Sequence, residues 1–272
     1  MIFADLALAR RLERTEAAGA SAYVQARRRM TPHATSAVLE VGGATAAFDT
    51  PDSPVTQTFG LGLFEETTPA QLDELEAFFQ TAGAPVQHEV SPLAGVGVLQ
   101  LLSDRGYRPV ELTSVMMQPL PASVAGPAAG VIFVRRAVAG EEDLWSETAL
   151  HGWIGEHPEY REFLLESGRL TAHSVGTSAY FAERDGVPIA TGALRCHEGV
   201  AMFAGAATVP QARGQGAQQA LLAARMGDAV ARGCDLAMMC AVPGSASQRN
   251  AERHGFRIAY TRVKWMLAVG LR

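Results

Sequence analysis

The sequence is poor in the features that define several classes of protein. Its three cysteines, Cys196, Cys234 and Cys240, have no metal-ligand spacing and do not form the even, closely spaced set of a disulfide framework. No uninterrupted apolar run reaches the length of a membrane-spanning helix. Charged residues follow the first few positions at once, so we expect no signal peptide. These absences predict a cytoplasmic protein without a metal or a membrane partner.

The charge balance argues against one further class. The formal net charge is −5, which is unusual for a general nucleic-acid-binding protein. The 272 residues are 48% hydrophobic and 19% charged, which is enough apolar content for a core in one or two domains. We therefore expect a folded globular protein with no nucleic-acid partner.

The most informative segment that is present runs from 209 to 217. An apolar run, 200–209, precedes it and a helical pattern, 218–232, follows, which predicts a strand, a loop and a helix. The first N–H groups of a helix have no internal partner, and the helix dipole favours negative charge there. Gly214 and Gly216 would let phosphate oxygens approach the backbone. The loop has neither the lysine of a P-loop nor the third glycine of a dinucleotide loop, so it predicts an anion site of another kind.

A segment rich in Pro, Ala and Gly divides the chain. It predicts a linker at 121–130 between a first half, 1–120, and a second half, 131–272. The first half repeats the final order of strands and helices predicted for the second half. Gly106-Tyr-Arg and Gly255-Phe-Arg, for example, are 149 positions apart. We infer an internal duplication, with chance similarity as the alternative.

The second half resembles the GNAT acetyltransferase superfamily. The family signature, Arg/Gln-x-x-Gly-x-Gly/Ala at a strand-to-helix turn, is matched from Arg213 to Gly216, with Gln218 at the usual final Gly or Ala. The segment 250–257 is similar to the second signature, a short helix that ends in Gly-Phe. The resemblance implies an α/β (α+β) fold of two tandem GNAT-like domains. Each would have a mixed, mostly antiparallel central sheet flanked by helices, and the first would be a degenerate copy.

The same resemblance implies an acyl-CoA cosubstrate, with acetyl-CoA preferred, and no metal. The pyrophosphate would lie on the loop, and the pantetheine arm would pair with a free strand edge in a splayed sheet. The implied cofactor-binding residues are Ala207, Thr208, Val209, Arg213, Gly214, Gln215, Gly216, Ala217, Gln218 and Asn250.

The equivalent loop of the first half predicts no second cofactor site. It has no glycine, and Glu65 and Glu66 would repel a pyrophosphate. Thr68-Pro69-Ala-Gln71 has the pattern of a capping box with proline at the first helical position. We therefore expect the first half to support the sheet, to line the acceptor groove or to mediate dimerisation, and a homodimer is one of these options.

The catalytic residues are harder to assign than the cofactor site. Acyl transfer to an amine by direct attack in a ternary complex needs a base, a stabilised carbonyl oxygen and a route for the thiolate to leave. Our candidates are Glu198 and Asn250, with His197 as a further option for the base. The leaving-group tyrosine of the family falls on Ala251, so Ser247, Asn250, Tyr260 or solvent would have to replace it.

The acceptor is predicted to contact the segment between the first two helices of the second half. Trp153, Glu156 and His157 lie there among glycines, which is typical of a mobile binding loop. The alternative is an ordinary loop with Trp153 anchored in the core. A small-molecule amine is the expected acceptor, and a protein N-terminus or lysine is the alternative.

Three functions remain open on the sequence alone. The first is an acyl-CoA-dependent N-acyltransferase. The second is a non-catalytic acyl-CoA-binding or sensor protein, because the tyrosine and a strand carboxylate frequent in relatives are missing. The third is an enzyme of another class that binds a phosphate-containing ligand.

Overall fold

The computed structural model describes residues 3–122, 132–155 and 158–268. Seven α-helices and eleven β-strands lie within them. The helices are α1 (Leu6–Met30), α2 (Pro69–Thr81), α3 (Val96–Asp104), α4 (Glu142–Trp153), α5 (Arg161–His173), α6 (Ala217–Ala231) and α7 (Ala246–Arg253). The strands are β1 (Ala37–Val41), β2 (Ala44–Phe48), β3 (Gln57–Phe59), β4 (Gln87–Val90), β5 (Tyr107–Pro119), β6 (Phe133–Arg136), β7 (Thr177–Arg184), β8 (Val187–His197), β9 (Val200–Thr208), β10 (Leu236–Ala241) and β11 (Arg257–Leu267).

The chain divides into two compact units. Unit 1 comprises 1–117 together with 240–272, and unit 2 comprises 118–239. The last part of the second half therefore packs with the first half, because β11 pairs antiparallel with β4 on one side and β5 on the other. The division into 1–120 and 131–272 stays a prediction, and most of its linker, 121–130, lies outside the described residues.

Unit 1 is a six-stranded sheet in the order β1-β2-β3-β4-β11-β5 with helices on both faces. All its strand pairs are antiparallel except β3–β4. Ala46 packs in the cluster formed with α2 and α3, and its neighbour Ala47 packs with α1. Successive strand residues point to opposite faces, so the two clusters cover the two sides of the sheet.

Unit 2 is a five-stranded sheet in the order β10-β9-β8-β7-β6, antiparallel except for β9–β10. Phe181 packs with Trp145 of α4, and its neighbour Tyr180 donates a hydrogen bond to Asp228 of α6. The helices α4 and α6 thus cover opposite faces. The fold class expected from the sequence, mixed α/β with mostly antiparallel sheets flanked by helices, is confirmed.

The pairs Asp185-Gly186 and Glu198-Gly199 in the sequence predict two hairpin turns in unit 2, and both turns are present. Asp185 and Gly186 have φ values of 51° and 76°, and Glu198 and Gly199 have values of 45° and 77°. Two successive left-handed residues form the tight turn whose twist matches antiparallel strands. The second of these turns joins β8 to β9 and sets the register of the strand that leads to the loop.

The order of elements in the first half recurs in the second. The series α2, β4, α3, β5 reappears as α6, β10, α7, β11. Gly106 follows α3 and Gly255 follows α7, both with positive φ (85° and 92°), where a glycine ends a helix most easily. This correspondence supports the duplication inferred from the sequence.

Two features of unit 1 differ from the sequence prediction. The pattern predicts a first helix over 5–18, but α1 continues to Met30 because Ala22, Val24 and Ala26 extend its buried side. The hairpin of β1 and β2 was not predicted. Its signal is the pair Gly42-Gly43, with φ values of 56° and 76°.

Candidate functional site

The loop between β9 and α6 forms an uncapped helix start. A short 3₁₀ turn, Pro210–Ala212, follows β9, and Gly214 and Gly216 have φ values of 73° and 86°. Gly216 is the N-cap of α6 and has no side chain to accept the hydrogen bonds of the first turn. The N-terminus of this 15-residue helix therefore presents main-chain N–H groups and the positive end of its dipole to the loop.

The corresponding helix of the first half begins differently. Thr68 Oγ1 accepts a hydrogen bond of 3.3 Å from the N–H of Gln71, and Gln71 Oε1 accepts one of 2.9 Å from the N–H of Thr68. Pro69 occupies the first turn and has no N–H group. The predicted capping box is confirmed, so the start of α2 satisfies its own donors.

The strand that leads to the loop separates from its neighbour. β9 pairs with β10 at three positions, where Val200, Ala201 and Met202 face Leu236, Ala237 and Met238. The strand β9 then continues through 203–208, for which no pairing with β10 occurs within the described part of unit 2. This stretch is a free edge of the kind that an extended ligand can pair with.

A β-bulge lies within the same stretch. The pairing of β8 with β9 steps from Ala193↔Ala204 to Thr191↔Ala207, so two residues of β9 lie opposite Gly192. Gly205, the first of the two, has φ of 60°, and a Cβ there would lie 2.9 Å from the ring of Trp145. The bulge bends β9, which re-aims the free edge.

The polar side chains of the loop turn back onto the protein. Arg213 Nη2 donates to the carbonyl of Gly152 at 2.9 Å, and its Nε donates to that of Thr208 at 3.3 Å. Gln218 Nε2 donates to the carbonyl of Ala207 at 2.7 Å. Gln215 Nε2 likewise donates to the Gln211 carbonyl at 2.8 Å. These side chains shape the loop, whereas a Cβ on Gly214 would meet no protein atom within 4 Å.

Val209 is also held within unit 2. Its N–H donates to the carbonyl of Ile189 at 3.0 Å, and its carbonyl accepts from the N–H of Ala212 at 2.9 Å. The free edge therefore ends at Thr208.

The end of α4 adjoins the end of β9. A Cβ on Gly152 would lie 2.7 Å from the main-chain nitrogen of Thr208, so only glycine permits this approach. The next residue, Trp153, is 59% exposed, so it does not anchor the core. The structure thus places Trp153 beside the loop and the free edge, while Glu156 and His157 lie outside the described residues.

One of the two catalytic candidates, Glu198, lies away from the loop within unit 2. Glu198 is in the β8–β9 turn, with Oε1 4.0 Å from Nε2 of His197. Phe203, where the free edge begins, is five residues further along, about 16 Å at the rise of a strand. The other candidate, Asn250, is on α7, which belongs to unit 1.

Four residues of this region were missed by the sequence reasoning: Gly152, Gly192, Gly205 and Arg225. Gly192 and Gly205 carry a readable signal, because glycine inside a strand often marks a bulge or a close approach. Arg225 carries none, since a helix arginine is usually solvated.

Two further observations concern the described residues alone. None of the helices there combines the length and the apolar character needed to span a bilayer. No group of three or more His, Cys, Asp or Glu side chains in the same residues is arranged to hold a metal ion.

Comparisons with known proteins agree with this geometry. Residues 141–256 match the family model described as the acetyltransferase (GNAT) family, while no curated protein matches the chain. A solved GCN5-related N-acetyltransferase from Kribbella flavida is 20% identical, with 92% of this chain and 95% of that chain covered and a TM-score of 0.64. Another from Sphaerobacter thermophilus is 18% identical, with coverage of 84% and 78% and a TM-score of 0.55.

A third similar structure is a tandem GNAT protein from the clavulanic acid biosynthesis pathway. It is 13% identical, with coverage of 84% and 79% and a TM-score of 0.57. At these identities the similarity is one of fold, and it extends over both halves of the chain.

Proposed function

We propose that this chain, whose residues 141–256 belong to the acetyltransferase (GNAT) family, is an acyl-CoA-dependent N-acyltransferase. Acetyl-CoA is the proposed acyl donor and a small-molecule amine the acceptor. The observation that carries the proposal is the combination, within unit 2, of an uncapped helix start and a strand edge that separates from its neighbour directly before it.

The loop fits the pyrophosphate of CoA. Its N–H groups at the start of α6 lack a side-chain cap, and the helix dipole favours the negative charge. A Cβ on Gly214 would meet no protein atom within 4 Å, so the space above this glycine is open to a ligand. We assign the pyrophosphate to the backbone of Gly214, Gln215, Gly216, Ala217 and Gln218. Arg213 would hold the loop against Gly152.

The pantetheine arm would pair with β9. Ala207 and Thr208 lie at the loop end of the free edge, so an arm that leaves the loop meets them first. Val209 is engaged by Ile189 and Ala212, so we place the arm on 203–208 rather than on Val209. The arm then runs back towards Met202, where β9 and β10 come together.

The acceptor would approach beside α4. Trp153 is exposed next to the close contact of Gly152 with Thr208, and an exposed aromatic ring there provides an apolar wall for a small amine. The amine would attack the thioester directly, so the protein contributes position and the electrostatic environment. Glu156 and His157, which lie outside the described residues, remain proposed acceptor-binding residues.

The cofactor assignment can be tested with two matched glycines. Gly214 and Gly140 both have positive φ (73° and 93°), and a Cβ at either position meets nothing within 4 Å. Gly214→Val and Gly140→Val therefore impose a similar backbone strain, but only the first places a side chain on the proposed pyrophosphate site. In calorimetry, we expect Gly214→Val to lose at least about 1.4 kcal/mol of CoA binding, a tenfold change.

The outcomes separate the candidate functions. Equal CoA affinity in both variants would overturn the pyrophosphate site. A wild-type protein that binds a nucleotide and not CoA would point to another class of phosphate-ligand enzyme. Release of CoA from acetyl-CoA that depends on an added amine, screened over an amine library, is the expected result. If the protein binds CoA tightly but forms no CoA from acetyl-CoA with any amine in the library, it behaves as a sensor.

A further inference from the structure

Arg225 is buried in unit 2 without a carboxylate partner. Its side chain leaves α6 towards β8 and β9, and the residue is 3% exposed. Nη1 donates to the carbonyls of Ala193 at 3.0 Å and Ala204 at 3.3 Å, and Nε donates to that of Leu221 at 3.1 Å. The guanidinium lies 5.3 Å from the ring centroid of Phe203. Within the described part of the chain its hydrogen-bond partners are all main-chain carbonyls, so no opposite charge neutralises it.

This arrangement is costly for a structural residue. A buried charge is stable only when hydrogen bonds and opposite charges replace its hydration. Burial lowers the pKa of Arg225 to about 10, so the guanidinium remains charged at neutral pH. The guanidinium fits against the sheet because Gly192 has no side chain. A Cβ at that position would lie 2.7 Å from Cζ of Arg225.

The position of the charge coincides with the reactive end of the proposed ligand. On the proposed function, on which this inference rests, the arm runs from the loop along β9 towards Met202. Arg225 is bonded to Ala204, two residues from the point where β9 leaves β10. The carbonyl of the next residue, Gly205, accepts a hydrogen bond of 3.2 Å from Thr191 Oγ1. The bulge at the thioester end is therefore held by side chains, one of them positively charged.

The departing thiolate of CoA needs a proton or a positive charge to stabilise it, and the residues considered so far supply neither. Ala251 stands where relatives have a leaving-group tyrosine, and Tyr260 is engaged inside unit 1 by Glu13. A thiolate can also leave without a proton if a nearby positive charge stabilises it.

We propose that Arg225 is a positioning residue that shapes the bulge of β9 and stabilises the departing CoA thiolate through the field of its buried charge. The nitrogen of the amine forms a bond to the thioester carbon. The carbon–sulfur bond breaks, its electron pair stays on sulfur, and the proton of the amine passes to water. Arg225 keeps its proton throughout, and its field is weakly screened because it lies in the protein interior.

The test is the acidity of the CoA thiol when it is bound. Thiolate absorbance in the far ultraviolet, followed against pH, reports the thiol pKa of CoA in the complex and free in solution. We expect a lower pKa in the wild-type complex, and Arg225→Met should raise it by at least about one pH unit, since a nearby positive charge favours the charged form of an acid. Arg225→Lys keeps the charge and should retain most of the effect. Arg232→Met removes an arginine beyond the end of α6, which is bonded to Ser178, and should change nothing.

Each result decides something. If the pKa of the CoA thiol in the wild-type complex is equal to or higher than its pKa in free CoA, the inference is overturned. This result does not depend on whether the variants fold. Arg225→Met with an unchanged bound thiol pKa also overturns the inference. CoA binding in calorimetry with an unshifted thiol would leave the proposed function standing and remove only the role of Arg225. Absence of CoA binding by the wild type would overturn both. In turnover, the expected signature is a loss of at least about tenfold in kcat for Arg225→Met at a similar KM for acetyl-CoA.

Discussion

The hydroxyl of Tyr260 donates a hydrogen bond of 2.9 Å to Oε1 of Glu13 in the core of unit 1. Arg262 Nη1 lies 3.2 Å from the other oxygen of Glu13 and 2.6 Å from Oε2 of Glu16. Glu13 is 1% exposed, and burial raises its pKa to about 7, opposed by the charge of Arg262. Burial and Glu13 also raise the pKa of Tyr260. The tyrosine is therefore part of a core network, and we do not assign it the role of leaving-group acid.

The buried carboxyl of Glu13 predicts a stability that depends on pH. Its pKa in the folded protein, about 7, lies above the ordinary value of 4.5, so the native state binds the proton more tightly than the unfolded chain does. The corresponding stabilisation is complete below pH 4.5 and is lost as the pH rises through 7. Glu13→Gln removes this loss, so the variant should gain on the wild type with rising pH, by at most about 3 kcal/mol at pH 8.5.

Urea unfolding at a series of pH values measures this difference. The groups that face Glu13 are Tyr260, Arg262, Glu16 and Glu89, and they are common to both proteins. Glu66→Gln, at an exposed position, is the control and should run parallel to the wild type. A Glu13→Gln curve that is parallel to the wild type as well would show that Glu13 does not hold a proton in the native state.

The bulge of β9 predicts opposite effects for two glycine substitutions in unit 2. Gly205→Ala places a Cβ 2.9 Å from Trp145 at a φ of 60°, so we expect a loss of about 1–3 kcal/mol in the free energy of unfolding. Gly227→Ala lies in α6 with nothing within 4 Å, and should be neutral or add up to about 1 kcal/mol. Chemical denaturation measures both. A Gly205→Ala protein as stable as the wild type would mean that the bulge relaxes at no cost.

The contacts of Gln218 predict that its substitution lowers the stability of the fold but leaves CoA affinity nearly unchanged. Its amide donates to the Ala207 carbonyl at 2.7 Å and to Thr208 Oγ1 at 3.0 Å, which ties the start of α6 to β9. Gln218→Ala should lower the free energy of unfolding by about 1 kcal/mol per hydrogen bond lost, while CoA binding changes little because the main-chain donors remain. Gln215→Ala, at an exposed position, is the matched control. A larger loss of CoA affinity than of stability would place the Gln218 side chain on the ligand.

The capping box of α2 predicts one CoA site for each chain. Thr68 and Gln71 satisfy the first donors of that helix, and Glu65 and Glu66 lie directly before it. Titration of the full chain with CoA should give a stoichiometry near one. Two sites per chain would contradict the assignment of the first half, and Thr68→Ala, which opens the cap, should not create a second site.

The position of Glu198 predicts a small role in catalysis. It lies in the turn at the opposite end of β9 from the loop. A general base contributes about a hundredfold or more to the rate, so Glu198→Gln would reduce kcat by that factor if Glu198 removed the proton of the amine. From the geometry we expect a change of less than about threefold, because a base must lie within hydrogen-bond reach of the proton that it removes. A hundredfold loss of kcat in a variant as stable as the wild type would restore Glu198 as the base.

Local patterns in the sequence predicted most elements of the fold. The pairs Asp185-Gly186 and Glu198-Gly199 predict hairpin turns, and Ser245, which follows Pro243-Gly244, predicts a helix N-cap. Each feature depends on residues that are neighbours in the chain, and each is present. The strand that leads to the glycine loop and the helix that follows it were predicted for the same reason. Propensities and capping act over a few residues, so a sequence displays them directly.

Long-range contacts account for what the sequence did not predict. Nothing near residue 257 indicates that β11 lies between β4 and β5, because a strand does not encode its partner locally. The role of Tyr260 depends on Glu13, nearly the whole chain away. From the sequence alone, Arg225 is expected to be a solvated helix residue, and only the packing of α6 on the sheet buries it.

The sequence by itself determined the uncapped start of α6 and the self-capped start of α2. Each depends on a few consecutive residues, the glycines around Gly214 in one case and the pair Thr68 and Gln71 in the other. Only the tertiary structure decided where β9 leaves β10, that its bulge lies at Gly205, and that a charged guanidinium lies beneath it. Strand register and burial arise when distant segments pack together, and the chemistry proposed here depends on the charge that this packing removes from water.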